Sequence, residues 1–413
     1  MVKTTTMQIG FVNFSQEELA RKNKVLQMVR DQTAIDELGF GRIRYAFANM
    51  MFPGMSTLQR RAKYFAVMPS LYYQATKKNY NSVRDVRAQI VKWEIRLTDM
   101  LVKGAEGDVQ KTGITGSSML DKAINDPTKF VKYDPTYIYI NGLRTYGMIK
   151  GDIDIYRLIF DRSKQVEQIK PKYKASEEGE MSDSEDLGGL MQFFSVSGEE
   201  YDFENGDKLP LELTKREAEY IKNHITNSMK SMDSLLAYIL RNNTDVLPEY
   251  DSLGNIWQNM PEDFSEFMKL YRMGQRFSHL AYVVQLRFNH IMAMFNEQEE
   301  EANDLQTKIE KIIDLYPSDF THQAIDDMLF FIRNRVTEST VITFCKRAVR
   351  LIEKRAWNDL DDLIVAREKA VKPGRNKLRN PKYKDEERDW PSMLSFRWND
   401  IVYQVINEIR EAK

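Results

Sequence analysis

The chain has 413 residues, 42% of them hydrophobic and 29% charged, with a formal net charge of −1. This is the composition of an ordinary globular protein with room for two or three cores. It excludes the whole-molecule field of a strongly basic nucleic-acid or membrane binder. The single cysteine, Cys345, excludes an intrachain disulfide, and with only four histidines beside it an all-protein zinc site is not expected.

In chain order, residues 7–14 (MQIGFVNF) read as a short buried strand or extended entry. The N-terminal stretch carries no long apolar run, so neither a signal peptide nor a membrane span is expected there. Ser15 and Glu18 form a capping box that opens a helix. Residues 36–73 read as helix, turn, helix, and the rest of the chain is read as arranged around them. Ile43, Phe47, Met50 and Met51 keep helical spacing, and Phe52-Pro53-Gly54 breaks it. Ser56, with Gln59 three residues on, predicts a new helix start. That start places Arg60, Arg61 and Lys63 in the first two turns.

Helices are also expected over 81–102, after Ser117–Ser118 up to Pro127, from Asp134-Pro135 to about 149, and over 152–167. After Pro210 the pattern is firmly helical. Thr214 caps the first segment, 233–241 and 263–295 follow, and four more helices run to Glu368. Cys345 lies in an apolar helical pattern with Val341, Phe344 and Ala348, which marks a core thiol. A last helix is expected over 401–411. The fold class is therefore mainly α: a multi-lobed helical protein with a helix-turn-helix-like basic N-terminal unit. The expected division is a basic helical domain over 1–170, an acidic linker or insert over 171–210, and a helical domain over 211–413. The last of these carries a basic extended segment at 369–388.

The neutral total hides a local asymmetry. Residues 42–96 hold eleven Lys/Arg against two acids, a balance of +9, and residues 367–384 hold eight against one, a balance of +7. Residues 177–207 hold eleven acids and no Lys or Arg. The first basic stretch also carries tyrosines, which suits phosphate contacts with some stacking on bases. The residues expected to contact nucleic acid are Arg44, Arg60, Arg61 and Lys63, with Lys372, Arg375, Lys377 and Arg379 as a second clamp.

No catalytic signature stands out. Gly39-Phe40-Gly41 is too short for a phosphate loop, and no Gly-x-Ser-x-Gly elbow occurs. Arg272 and His279 lie seven residues apart on an expected helix, nearly two turns, so both could face one way. They are weak candidates for a helical Arg–His nuclease, with a histidine at the core edge as the default. His290, one turn from Arg287, is weaker still. No metal and no cofactor are expected.

Several stretches together resemble a bacterial family of unknown function, the one numbered 6361. They are IGFVNFSQEE (9–18), DELGFGRIRYAFANMMFPGMSTLQRRAKYF (36–65), PTYIYINGLRTYGM (135–148), SLLAYIL (234–240), RFSHLAYVVQLRFN (276–289), KPGRNKLRNP (372–381) and FRWNDIVYQVINEI (396–409). The resemblance implies a prokaryotic protein of about this length, and the single cysteine fits a reducing, cytoplasmic compartment. The resemblance also implies a gene found beside helicases, nucleases and methyltransferases in anti-phage or restriction clusters. The expectation is an accessory component of a DNA-defence system that contacts nucleic acid (DNA before RNA) or a helicase or nuclease partner, and not a membrane. The alternatives are a nuclease or toxin-like effector using Arg272 and His279, and a pure protein-interaction scaffold.

Overall fold

Apolar periodicity and well-placed caps set the helices. The computed structural model describes residues 38–105, 113–174, 193–242, 265–384, 386 and 390–413, and these form fourteen α-helices and no strand. The first seven are α1 (Gly41–Met51), α2 (Lys63–Thr76), α3 (Val83–Gly104), α4 (Leu120–Asn125), α5 (Pro135–Thr145), α6 (Ile155–Lys174) and α7 (Lys215–Asn227). The rest are α8 (Leu235–Asn242), α9 (Ser265–Phe295), α10 (Glu299–Leu315), α11 (His322–Phe331), α12 (Ser339–Glu353), α13 (Trp357–Val371) and α14 (Tyr403–Arg410). The protein is mainly α. The expected strand at 7–14 and the helix after Ser15 lie outside the described residues.

Local sequence explains several helix starts. Asp134 accepts from the Tyr137 backbone N–H at 2.7 Å and Pro135 takes the first helical position of α5. Thr214 and Glu217 close a reciprocal capping box on α7. Ser82 caps α3 by accepting from the Asp85 N–H.

The chain divides into two compact units, each discontinuous in sequence. One is Met1–Phe47 with Met268–Leu394; the other is Ala48–Phe267 with Ser395–Lys413. This differs from the serial division expected at 170 and 210. A sequence read from left to right does not show that the last helix belongs with the first half.

The second unit is built on α2, which packs against α3, α5, α6 and α7. Its buried residues run from Lys63 through Tyr72, then Ala75 and Thr76, so it is enclosed on every side. Tyr64 stacks on Tyr139 at 4.8 Å, and Phe65 meets Tyr139 edge-on at 5.2 Å. The first unit is centred on Phe40, Phe47, Phe277 and Phe344, with Phe40 5.6 Å from both Phe277 and Phe344. Cys345 is a buried free thiol on α12, as its pattern predicts, and burial pushes its pKa up to about 12.

The acidic tract is not one loop. Its first part, 175–192, lies outside the described residues. From 193 on it is packed: Phe194 bridges Ile149, and Phe194, Tyr201 and Phe203 are buried. The aromatic residues between the acids anchor this part. The basic segment after α13 is a succession of turns with a 3₁₀ turn at Pro381–Tyr383, rather than an extended run.

Candidate nucleic-acid interface

The helix expected to present Arg60, Arg61 and Lys63 is a core helix. The Gln59 side chain does bond the Ser56 N–H at 2.8 Å, but α2 begins only at Lys63. Arg60 and Arg61 therefore lie before the helix. Lys63 is 2% exposed and its Nζ sits 2.7 Å from Glu217 Oε2, with a further bond to the Glu212 carbonyl. Its charge is held inside the protein and cannot reach a phosphate. That pair lies along a cavity of about 390 Å³ lined also by Glu199, Glu200 and Glu212, which would repel a polyanion.

Arg61 pairs with Glu408 at 2.7 Å, and the same carboxylate accepts from the Ala62 N–H at 2.6 Å. An acidic group at the start of α2 complements the helix dipole. Burial raises the Glu408 carboxyl above its ordinary range, against the pull of the Ala62 N–H and Arg61. Arg60 is half-buried in the loop before α2. Arg44 is half-buried, with its guanidinium 5.0 Å over the exposed Tyr45 ring.

The second expected clamp stays at the surface. The buried Glu368 carboxylate accepts from the Lys377 N–H at 2.7 Å and the Leu378 N–H at 3.0 Å, which shapes the basic loop from beneath. Gly374 takes φ +74°, and Arg375 beside it is exposed. Lys377 pairs with Glu386 at 3.2 Å and Arg379 with Asp362 at 2.9 Å. Such exposed pairs are worth little and give way to a stronger anion. Lys372 is half-buried next to this loop.

A further face, on the second unit, combines aromatic surface with positive charge. Tyr133 and Tyr137 are 45% and 61% exposed, and their rings lie 4.9 Å apart. Lys132 Nζ stands 5.5 Å over the Tyr133 ring. Arg87 on α3 lies 5.6 Å over the Tyr156 ring and close enough to Asp134 to draw its carboxyl down, though burial raises it more. Arg84 is exposed one turn earlier, and neither it nor Lys132 has an ion-pair partner among the described residues. None of these five positions was singled out from the sequence; only Arg84 and Arg87 fell within the basic count. The available signal was Tyr-x-x-x-Tyr spanning the Asp134-Pro135 helix start, with Lys132 in front.

Behind that face Glu94 is fully buried. One carboxyl oxygen accepts from the Thr136 N–H at 2.6 Å, and the other has no partner among the described residues. Burial, reinforced by the Asp134 charge, pushes its pKa up to about 8.

The Arg–His candidate separates in the structure. Arg272 is exposed, whereas His279 is 4% exposed, bonded through Nδ1 to Asp319 at 2.7 Å and stacked on Tyr316 at 4.1 Å. His279 is thus the core-edge histidine of the default reading. His290 is half-buried, and burial lowers its pKa to about 4. Among the described residues no cluster of three His, Cys, Asp or Glu is placed to hold a metal ion. No described helix is long and apolar enough to cross a membrane.

These features define a mainly α-helical protein with a basic, turn-rich loop in one unit and an exposed tyrosine pair beside cations in the other. Residues 7–148 match the model of a family of unknown function, DUF6361, the same family that the sequence resembles. That match covers α1 to α5, including the buried α2 and the exposed tyrosine pair. No curated protein matches the chain, and no solved structure matches it.

Proposed function

We propose that this protein is an accessory nucleic-acid-binding component of a prokaryotic DNA-defence system, and that it holds an unpaired stretch of DNA. The observation that carries the binding reading is the exposed, closely spaced pair Tyr133–Tyr137 with Lys132 and Arg87 beside it. Exposed aromatic faces next to cations suit unpaired bases and their backbone, because every base offers a ring to stack on. The Arg375 loop, in the other unit, is a separate candidate phosphate contact. The defence role rests on the family resemblance alone.

The test is a salt-titrated anisotropy assay with single-stranded DNA, duplex DNA and RNA. Single-stranded DNA is expected to bind best, with a log-log salt slope of about −0.7 per phosphate contact. Tyr133→Ala/Tyr137→Ala should weaken binding roughly tenfold or more and leave that slope unchanged, since each stacked base contributes about 1–3 kcal/mol. Arg84→Glu/Arg87→Glu should flatten the slope. No binding to any of the three at low salt, by a folded protein, would reject the reading in favour of a protein-interaction scaffold.

A further inference from the structure

Ser195 and His224 have no part in the reading above. Ser195 Oγ is 2.8 Å from His224 Nε2, and His224 Nδ1 is 3.0 Å from the Tyr146 backbone carbonyl. A carbonyl accepts only, so Nδ1 carries the proton and Nε2 presents a lone pair to the serine hydroxyl. The imidazole is also held by the Tyr220 ring at 4.6 Å, and the Tyr220 hydroxyl donates to the Ser195 carbonyl at 2.7 Å. Both residues are half-buried.

A cation stands on the same side. Residues 148–150 pair antiparallel with 193–195: the Ser195 N–H donates to the Met148 carbonyl at 2.9 Å and the Lys150 N–H to the Phe193 carbonyl at 2.9 Å. Ile149 and Phe194 form the central bridge and both point into the core. Side chains alternate along such a pairing, so Ser195 and Lys150 share the opposite face as diagonal neighbours. Lys150 is exposed and has no ion-pair partner among the described residues.

We propose that Ser195 is an acyl-accepting nucleophile with His224 as its general base, and that the site hydrolyses a carboxylic ester bearing an anionic group held by Lys150. The arrangement supplies a nucleophile, a base, and a fixed group that orients the base. Ser195 Oγ bonds to the ester carbonyl carbon as its proton passes to His224 Nε2, and the C=O π pair moves onto oxygen. When that pair returns, the ester C–O bond breaks and the leaving alcohol takes the proton from the imidazolium. Water then gives a proton to Nε2 and its oxygen attacks the acyl carbon. Ser195 Oγ departs with that proton, so ester and water become acid and alcohol.

Burial, together with the Lys150 charge, lowers the His224 pKa, against the bond to the Tyr146 carbonyl. Lys150 and Tyr220 are the titratable groups facing the ring among the described residues, and burial keeps Tyr220 neutral by raising its own pKa well beyond the usual phenol range. The imidazole is therefore free to accept a proton at neutral pH.

The experiment treats the full chain with a fluorophosphonate probe and maps the adduct by mass spectrometry. In parallel, turnover of 4-nitrophenyl acetate is compared with that of the anionic 4-nitrophenyl hemisuccinate. An adduct on Ser195 is expected, with a rate that rises with pH through one ionisation below the usual imidazole value. Ser195→Ala should abolish the adduct, and His224→Gln should slow it by about a hundredfold or more, the usual size of general-base assistance. Lys150→Met, an exposed change that leaves the fold intact, should reduce hemisuccinate turnover at least tenfold more than acetate turnover. A folded wild type that gives no Ser195 adduct, an adduct rate with no pH dependence, or equal loss on both esters in Lys150→Met would overturn the proposal.

Discussion

A carboxyl with no exposed surface and one unpartnered oxygen, as at Glu94, prefers its neutral form, and its pKa rises to about 8. Because the folded value exceeds the unfolded one, the stabilisation is full below the unfolded pKa of about 4.5 and is lost as pH rises through about 8. Glu94→Gln keeps the acceptor for the Thr136 N–H and removes the titration. Melting curves at pH 5, 7 and 9 should therefore show the wild type losing stability towards pH 9 while the variant stays flatter. Each pKa unit corresponds to about 1.4 kcal/mol, so a gap of a few kcal/mol is expected. Parallel curves would contradict it. Lys63 follows the opposite logic. Removing one partner of a buried ion pair leaves the other charge stranded and costs about 3–5 kcal/mol. Lys63→Met should lower the melting temperature sharply, and adding Glu217→Gln should restore much of it without altering DNA binding. The sequence shows a lysine among arginines at this point; its partner lies 154 residues further on, where no local spacing reveals it.

At the scale of elements, helix existence was legible and the start of α2 was not. Asp134-Pro135 and Thr214/Glu217 mark their helices because the capping groups lie within one turn. Ser56 and Gln59 make the same pattern, yet Gln59 donates its amide to the Ile138 carbonyl at 3.0 Å, across 79 residues, and the chain stays a turn. The acid at the start of α2 comes instead from Glu408, 346 residues away. Nor does periodicity show that both faces of α2 are covered, since its tyrosines carry hydroxyls that read as polar until their buried partners are known. The packing that encloses it depends on Gly142 of α5. A Cβ there would lie 2.8 Å from the Gly54 carbonyl oxygen and 2.8 Å from the Phe65 ring. Gly142→Ala should therefore destabilise the protein by about 1–3 kcal/mol through overpacking, although alanine is the better helix former. Unchanged urea unfolding would show that the α5 contact yields freely.

At the scale of the whole molecule, the chain's two units are each assembled from separated segments, which a reading by composition shifts cannot recover. The acidic tract marks a change in composition without marking a boundary, since its second half packs into the same unit as the helices on either side. The C-terminal segment carries the consequence. Residues 395–413 bring Trp398, Ile401, Val402, Val405 and Ile406 to full burial in the second unit, with Trp398 5.8 Å from Phe52. Fully burying a large apolar side chain contributes about 1.5–3 kcal/mol. Five of them together match the whole net stability of a typical domain, about 5–15 kcal/mol. Glu408 adds the acidic group at the start of α2. A chain stopped at Leu394 is thus expected to lose the cooperative unfolding of the second unit, and with it the tyrosine face and the Ser195 site, while retaining the helices of the first. Circular dichroism melts should show partial loss of helicity and one transition missing. Native-like melting of that truncated chain would mean that the last helix is an appendage, and that the core around α2 is complete without it.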